Sequence, residues 1–314
     1  MADRWRRVQA FVRDHAVHSP RERSGVDVAC GLFLLAVLPA AVRADVRLAL
    51  ACAGGALLLL SLAARRVLRP LWRLQPTLAG VLRAWYPFAL VPLLYTLVPA
   101  LHHGVHGGRL FDDVVMQWEH WLFGGQPARE LARAAPTLLV SEPLHAAYLS
   151  YYALVWAPAL WFYLRERTDA FREATSAFVL ASLLCFIVFV HFPVQGPRYL
   201  FPAPSAGGID AGPLHRLTHA ILEAGSSRGA AFPSGHVAVA VAQAIVVWRW
   251  AGARAGALLW LLALLLAGGA VYGGFHYAVD AAAGLGVGVV AASVTPGVRA
   301  FSHVTVPGSA PPRR

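Results

Sequence analysis

Residues 230–280 read AAFPSGHVAVAVAQAIVVWRWAGARAGALLWLLALLLAGGAVYGGFHYAVD. His236 follows Phe232-Pro233-Ser234-Gly235 and opens an apolar run. His276 opens another run, with Asp280 four residues later. The apolar length between the histidines is enough to cross a bilayer and return, about 20 residues per crossing. A chain that does so brings both imidazoles to the same membrane face.

The rest of the 314 residues fits that reading. Hydrophobic residues make up 58% and charged residues 14%, and the mean hydropathy is +0.55. A soluble domain is nearer half apolar and a quarter charged. The composition predicts an all-α, polytopic membrane bundle of about eight transmembrane helices around a six-helix core. The net charge is +11, and with no lysine every basic residue is arginine. Together with abundant Ala, Gly, Leu and Val, this points to a GC-rich, bacterial genome. The arginines sit mainly in the arm, the tail and short loops, a placement that suits membrane anchoring and argues against nucleic-acid binding. Cys30, Cys52 and Cys185 all lie within apolar runs and read as buried hydrophobes. No cleavable leader stands out in residues 1–24.

Outward from the opening stretch, apolar runs fall at about 26–42, 48–64, 84–101, 143–164, 174–191, 236–251, 256–272 and 276–294. Pro87, Pro92 and Pro99 predict a kinked third run. Arg65, Arg66, Arg69, Arg73 and Arg83 mark a cytoplasmic loop at 65–83. Segment 102–142 is polar, and within it Phe111, Val114, Val115, Trp118, Trp121 and Leu122 recur at helical spacing. That predicts an amphipathic helix at the membrane interface. His102, His103 and His106 read as a histidine-rich loop, since no carboxylate or cysteine completes a metal-ligand spacing. Residues 192–235 form a second long polar loop, rich in Pro and Gly. Counted from a cytoplasmic N-terminus, about nineteen arginines fall inside and about eight outside. Both termini are then cytoplasmic, and His236, His276 and Asp280 lie on the extracytoplasmic face.

A histidine and an aspartate one helical turn apart face the same way. The carboxylate fixes the imidazole tautomer and makes the other nitrogen a better nucleophile or base. Ionisable groups within apolar runs are costly and are usually functional. Ser234 and Gly235 begin a helix, whose free N–H groups suit a phosphate, although serine is also a common helix cap. In the preceding loop, Gln195-Gly196-Pro197-Arg198-Tyr199 supplies a guanidinium fork that matches phosphate oxygens.

Phe-Pro-Ser-Gly-His, followed about forty residues later by His-Tyr-x-x-Asp-x-x-x-Gly, resembles the type 2 phosphatidic acid phosphatase superfamily. The segments FDDVVMQWEHWLFGGQP, FPVQGPRYLF and GGFHYAVDAAAG look most like its inositol phosphorylceramide synthase branch. The similarity covers about residues 110–295. It implies that His276 is the nucleophile, Asp280 orients it, and His236 protonates the leaving alkoxide and then activates the acceptor. It further implies that Arg198, Ser234 and Gly235 hold the phosphate, with no metal and no cofactor. Two departures reduce the cationic donors. The family's lysine seven residues before the first-motif arginine is His191 here, and its Ser-Arg before the third-motif histidine is Gly269-Ala270. His191, Tyr272 and Arg228 are candidates to make up the loss.

The expected organisation is an N-terminal arm with accessory helices (1–100), a catalytic domain (101–296) and a cytoplasmic tail (297–314). The expected function is that of a metal-independent lipid phosphatase or phosphotransferase in the cell membrane, with a membrane lipid as substrate. Transfer of a polar head-group phosphate to a lipid alcohol stays open beside hydrolysis. A non-enzymatic lipid-binding or carrier protein is the competing reading, and the paired histidines argue against it.

Overall fold

The computed structural model describes residues 25–63, 76–201 and 212–302. The proposed cytoplasmic arm, residues 65–75 of the 65–83 loop, part of the 192–235 loop and the end of the tail lie outside the described residues. Within them the chain is helical without strands. Among the described residues the one ladder-like contact is an isolated bridge between Val194 and Ala230.

All eight apolar runs are helical. The N-terminal helices are α1 (Gly25–Ala36), α2 (Leu38–Ala44), α3 (Val46–Ala63), α4 (Pro76–Tyr95) and α5 (Val98–His106). Two short helices, α6 (Asp112–Phe123) and α7 (Pro127–Ala134), follow. Next come α8 (Leu138–Leu149), α9 (Tyr151–Leu164) and α10 (Thr168–His191). Beyond the Arg198 turn lie α11 (Pro213–Gly225), α12 (Gly235–Ala251), α13 (Ala253–Tyr272) and α14 (Ala278–Ser302).

Among the described residues, four spans are long and apolar enough to cross a membrane by themselves: Leu78–His106, Thr168–His191, Ala253–Tyr272 and Ala278–Gly297. The pair α1–α2, bent by 44°, makes a fifth if taken as one span. This is a multi-pass membrane protein. Three of the other four runs fall short for a local cause. Pro39 bends the first run, Ser150 divides the fourth, and Gly235–Ala251 is short for a hydrocarbon core of about 30 Å. The third run is interrupted at Thr96-Leu97, where Pro99 lacks the N–H that would bond back to Tyr95.

The Arg83 expectation is corrected. This residue lies inside α4, buried, with its guanidinium paired to the buried Asp27 of α1 and Tyr86 beside them. A guanidinium fork held by a carboxylate satisfies both charges without water. His102, His103 and His106 are also not a loop, because they form the end of α5.

One hydrophobic core runs from Val26 on α1 to Ala292 on α14. Phe88 of α4 stacks on Phe178 of α10 at 5.0 Å and on Trp156 of α9 at 4.8 Å. The N-terminal helices therefore share a core with the remainder, and a boundary at residues 100–101 falls within α5.

Glycines bring α12 and α14 into close contact. A Cβ at Gly284 would lie 2.5 Å from the Ser234 carbonyl oxygen, and one at Gly288 the same distance from that of Ala238. Small residues at such crossings let backbones approach. The approach carries the start of α14, with His276 and Asp280, to the start of α12, with His236. At the opposite end Glu173 joins α10, α12 and α14. It accepts from Arg249 at 2.7 Å, from Trp250 Nε1 at 2.9 Å and from Thr295 at 3.4 Å.

Candidate active site

His236 begins α12, and Ser234 caps that helix by accepting the Val237 N–H at 3.4 Å. The Ser234 N–H donates to the Asp280 carbonyl at 2.9 Å, which ties the two helix starts together. The rings of His236 and His276 lie 5.7 Å apart, centroid to centroid. Both line a cavity of about 50 Å³, together with Arg198, Gln195, Tyr148 and Phe275.

His276 is held by two oxygens. Its Nδ1 is 3.0 Å from the Ala231 carbonyl and 3.5 Å from Asp280 Oδ2. Both are acceptors, so Nδ1 carries the proton and Nε2 keeps a lone pair. Asp280 Oδ2 also accepts the Tyr277 N–H at 2.7 Å. The carboxylate thus acts beside a backbone carbonyl that contributes the shorter contact. His236 Nε2 and the Tyr148 hydroxyl are hydrogen-bonded at 3.3 Å. Tyr148 fixes the ring of an imidazole that has no acidic neighbour in sequence.

Arg198 lies in a 3₁₀ turn, Pro197–Tyr199. Its Nη2 donates to the Tyr199 hydroxyl at 3.1 Å and to the Leu222 carbonyl at 3.4 Å. Its guanidinium carbon also lies 4.6 Å from the centre of the Tyr199 ring. Arg228 approaches the same ring at 4.8 Å. Gly196 has φ +94°, and a Cβ there would meet the Phe275 carbonyl oxygen at 3.0 Å. A side chain at 196 would be strained and would push the turn off the third motif.

The structure brings His236, His276, Asp280 and Arg198 together. Ser234 and Gly235 sit at the same helix start but do not line the small cavity, and the Ser234 oxygen is engaged as the cap. Tyr272 points its hydroxyl elsewhere, donating to the Ala135 carbonyl at 2.8 Å. His191 is exposed at the end of α10. Gly269 has a packing reason for its departure from the family pattern. A Cβ there would lie 2.3 Å from the Leu144 carbonyl oxygen of α8, and Ala270 beside it is fully buried.

Several site residues escaped the sequence reading. The amphipathic helix α6 is present, and two of its acidic residues, Asp112 and Glu119, are turned inward while Asp113 is exposed. Asp112 accepts the N–H groups of Gln195 and Gly196, both at 3.0 Å, and the Tyr277 hydroxyl at 3.1 Å. Glu119 accepts the Val279 N–H at 3.0 Å, at the start of α14. Burial pushes the Glu119 carboxyl up to about 6. The two carboxylates hold the Arg198 turn and the His276 helix in one frame. Their spacing, seven residues on one helix face, was the available signal. Tyr95 of α4 also lines the cavity and accepts the Ser227 N–H at 3.1 Å. His102 of α5 donates to the Arg228 carbonyl at 3.1 Å. No sequence pattern links these residues to the loop.

A further group, His145, His215 and His219, offers ligand nitrogens within 4.8 Å of one another. The metal reading of the sequence considered only His102, His103 and His106.

A family model described as PAP2 superfamily matches residues 113–294, more than half of the chain. The chain belongs to the PAP2 superfamily. No curated protein and no solved structure matches it in the corresponding comparisons. The PAP2 match begins after α5, so the cavity walls from Tyr95 and the His102 contact lie outside the matched segment. PAP2 membership suggests lipid phosphatase or phosphotransferase activity on a membrane lipid.

Proposed function

We propose that this PAP2 protein is a metal-independent lipid phosphatase or phosphotransferase working through a phosphohistidine. The observation that carries the reading is a cavity faced by two imidazoles and a guanidinium, with walls shared by two larger spaces. One is a cleft of about 310 Å³ lined by Arg129, Arg133, Arg198 and His219. The other is a groove of about 320 Å³, mostly apolar, that reaches His236 past Phe88, Tyr95, Tyr151, Trp156 and Phe186. Arg198 and Tyr199 belong to both the cavity and the basic cleft, while His236, Tyr95 and Leu222 belong to both the cavity and the apolar groove. An amphiphile with a charged head and apolar tails fits that layout, its phosphorus between His276 and Arg198.

In the reaction, His276 Nε2 attacks phosphorus as the ester P–O bond breaks, and His236 donates a proton to the leaving alkoxide. Water or an alcohol then attacks the phosphohistidine, the P–N bond breaks, and His236 takes the attacking group's proton. Arg198 neutralises charge on the non-bridging oxygens throughout. Ser234 and the Gly235 backbone assist from the start of α12. Asp280 stabilises the imidazolium character that develops on His276.

Head-group transfer, as in the inositol phosphorylceramide synthase branch, has its own support. The cleft beside Arg198 carries two further arginines and more room than a phosphate monoester needs. The catalytic unit in this reading is 101–296, with its site on the extracytoplasmic face and both termini in the cytoplasm. The N-terminal helices supply part of the lipid groove through Phe88 and Tyr95.

The test follows purified protein given radiolabelled lipid phosphate or phospholipid, with and without an alcohol acceptor. Free phosphate and new phosphodiester are measured alongside protein-bound label. Acid-labile, base-stable label on His276 is expected, and it should survive EDTA. Turnover with no covalent label under rapid quench would sink the mechanism, as would label formation that requires added magnesium.

A further inference from the structure

We propose that His145, His215 and His219 form a binding site for a transition-metal ion of the zinc class, which clamps α11 onto α8 beside the phosphate cavity. His219 also lines the basic cleft, but none of the three histidines faces the cavity of His236 and His276, and the proposal does not rest on the phosphohistidine reading.

The arrangement of His145 leads the argument. It is almost fully buried on α8, with Nδ1 2.7 Å from the Ser141 carbonyl. That carbonyl only accepts, so Nδ1 carries the proton. The Nε2 lone pair is left buried with no hydrogen-bond partner. A buried polar atom without a partner costs about 1–3 kcal/mol and calls for an explanation. An imidazole whose Nδ1–H is fixed on a backbone carbonyl is the usual state of a histidine that ligates metal through Nε2.

His215 and His219 complete the set. They lie one turn apart on α11, so they share a face, and their rings are 4.2 Å apart. The His145 ring is 4.8 Å from that of His215 and 6.1 Å from that of His219. One ligand nitrogen from each lies within 4.8 Å of the others. Around tetrahedral zinc, with Zn–N near 2.0–2.1 Å, such nitrogens lie about 3.3 Å apart. Rotation of the half-buried His215 and His219 side chains closes the difference. Three neutral imidazoles select zinc, copper, nickel or cobalt over magnesium or calcium, which require oxygen ligands. The nearby Glu142 is already engaged, accepting the Leu214 and His215 N–H groups at 2.9 and 3.0 Å. The fourth position is then left to water.

The clamp would act on the phosphate site through α11. This helix carries Leu222, whose carbonyl receives Arg198, and it leads into Ser226, hydrogen-bonded to Tyr199 at 3.1 Å. Phe275, next to the proposed nucleophile, packs on His145 and His219 at 5.8 and 5.3 Å. Metal on the three histidines would fix the wall that positions Arg198 without touching the reacting phosphorus.

The experiment uses full-length protein in detergent, stripped with a chelator and titrated with zinc chloride alone. Bound zinc is measured after desalting, together with the melting temperature and amide exchange across residues 213–225. One zinc per chain is expected, with a melting temperature raised by roughly 3–6 °C and slower exchange in α11. His215→Gln and His219→Gln should each lose the zinc and both responses, while His120→Gln, exposed on α6, should keep them. His145→Gln is buried and can misfold, so the two α11 variants decide. Substoichiometric zinc at micromolar concentration, zinc retained by both α11 variants, or binding that leaves α11 exchange unchanged would each overturn the proposal.

Discussion

Two histidine clusters share Phe275, and they differ in what holds their imidazoles. In the first, His276 is fastened by a carboxylate and a carbonyl, and His236 by a tyrosine hydroxyl. Its two rings face a cavity with a guanidinium. In the second, the Ser141 carbonyl fastens His145, and three ring nitrogens from two helices converge on one another. An acceptor beside one ring nitrogen makes the other a nucleophile or base. Convergent neutral imidazoles make a metal site. The same side chain is thus given different chemistry by its neighbours.

The largest expected effect breaks the first cluster. His276→Ala should abolish turnover on both a lipid phosphate and para-nitrophenyl phosphate. His236→Ala should lose about 10²–10⁴-fold on the lipid phosphate, the usual worth of general acid–base catalysis. It should keep part of its activity on the activated ester, whose leaving group needs no proton. Steady-state rates for the two variants on the two substrates decide this, and the reverse pattern exchanges the roles of the histidines.

A smaller effect tests whether α6 frames the first cluster. Asp112→Asn keeps the shape but cannot replace a carboxylate that accepts from Gln195, Gly196 and Tyr277. Hydrogen bonds to charged groups contribute about 1.5–3 kcal/mol. A fall of roughly 10–100-fold in kcat/KM is expected at about 1.4 kcal/mol per decade, with bound zinc unchanged. Loss of zinc at the same time would show that the two clusters are one unit.

Smaller still is a pH effect on stability. Glu119 is raised from 4.5 to about 6 in the folded protein, chiefly by burial. Its contribution is therefore fully present below about pH 4.5 and is lost as pH rises through about 6. Glu119→Gln should flatten that slope of melting temperature against pH. An unchanged slope would move its origin to another group.

The last test carries no energetic effect and asks whether both clusters face outward. In a background lacking Cys30, Cys52 and Cys185, a cysteine replacing His120 should react with an impermeant reagent on intact cells. One replacing Glu166 should react only after permeabilisation. The opposite labelling would invert the orientation while leaving the comparison of the clusters intact.

The first cluster was legible because its members are marked locally. Ser234-Gly235-His236 and the His276–Asp280 turn each declare themselves within five residues, and apolar length alone brings them to one face. Asp112 and Glu119 were visible as polar residues on an amphipathic helix, but the sequence does not say which face turns inward. The second cluster was not legible, because His145 stands about seventy residues from His215 and its significance rests on a lone pair left buried by the Ser141 contact.

The sequence by itself determined the helical membrane architecture and the motif residues proposed for phosphotransfer. Both follow from local quantities, which are apolar run length and spacing within a helical turn. Only the tertiary structure decided that Arg83 is a buried partner of Asp27 and that Tyr95 of an N-terminal helix forms part of the cavity wall. It also brought His145 against the distant pair His215 and His219. Those outcomes depend on which helix faces meet, as at the Gly284 and Gly288 crossing, and the packing of whole helices sets them.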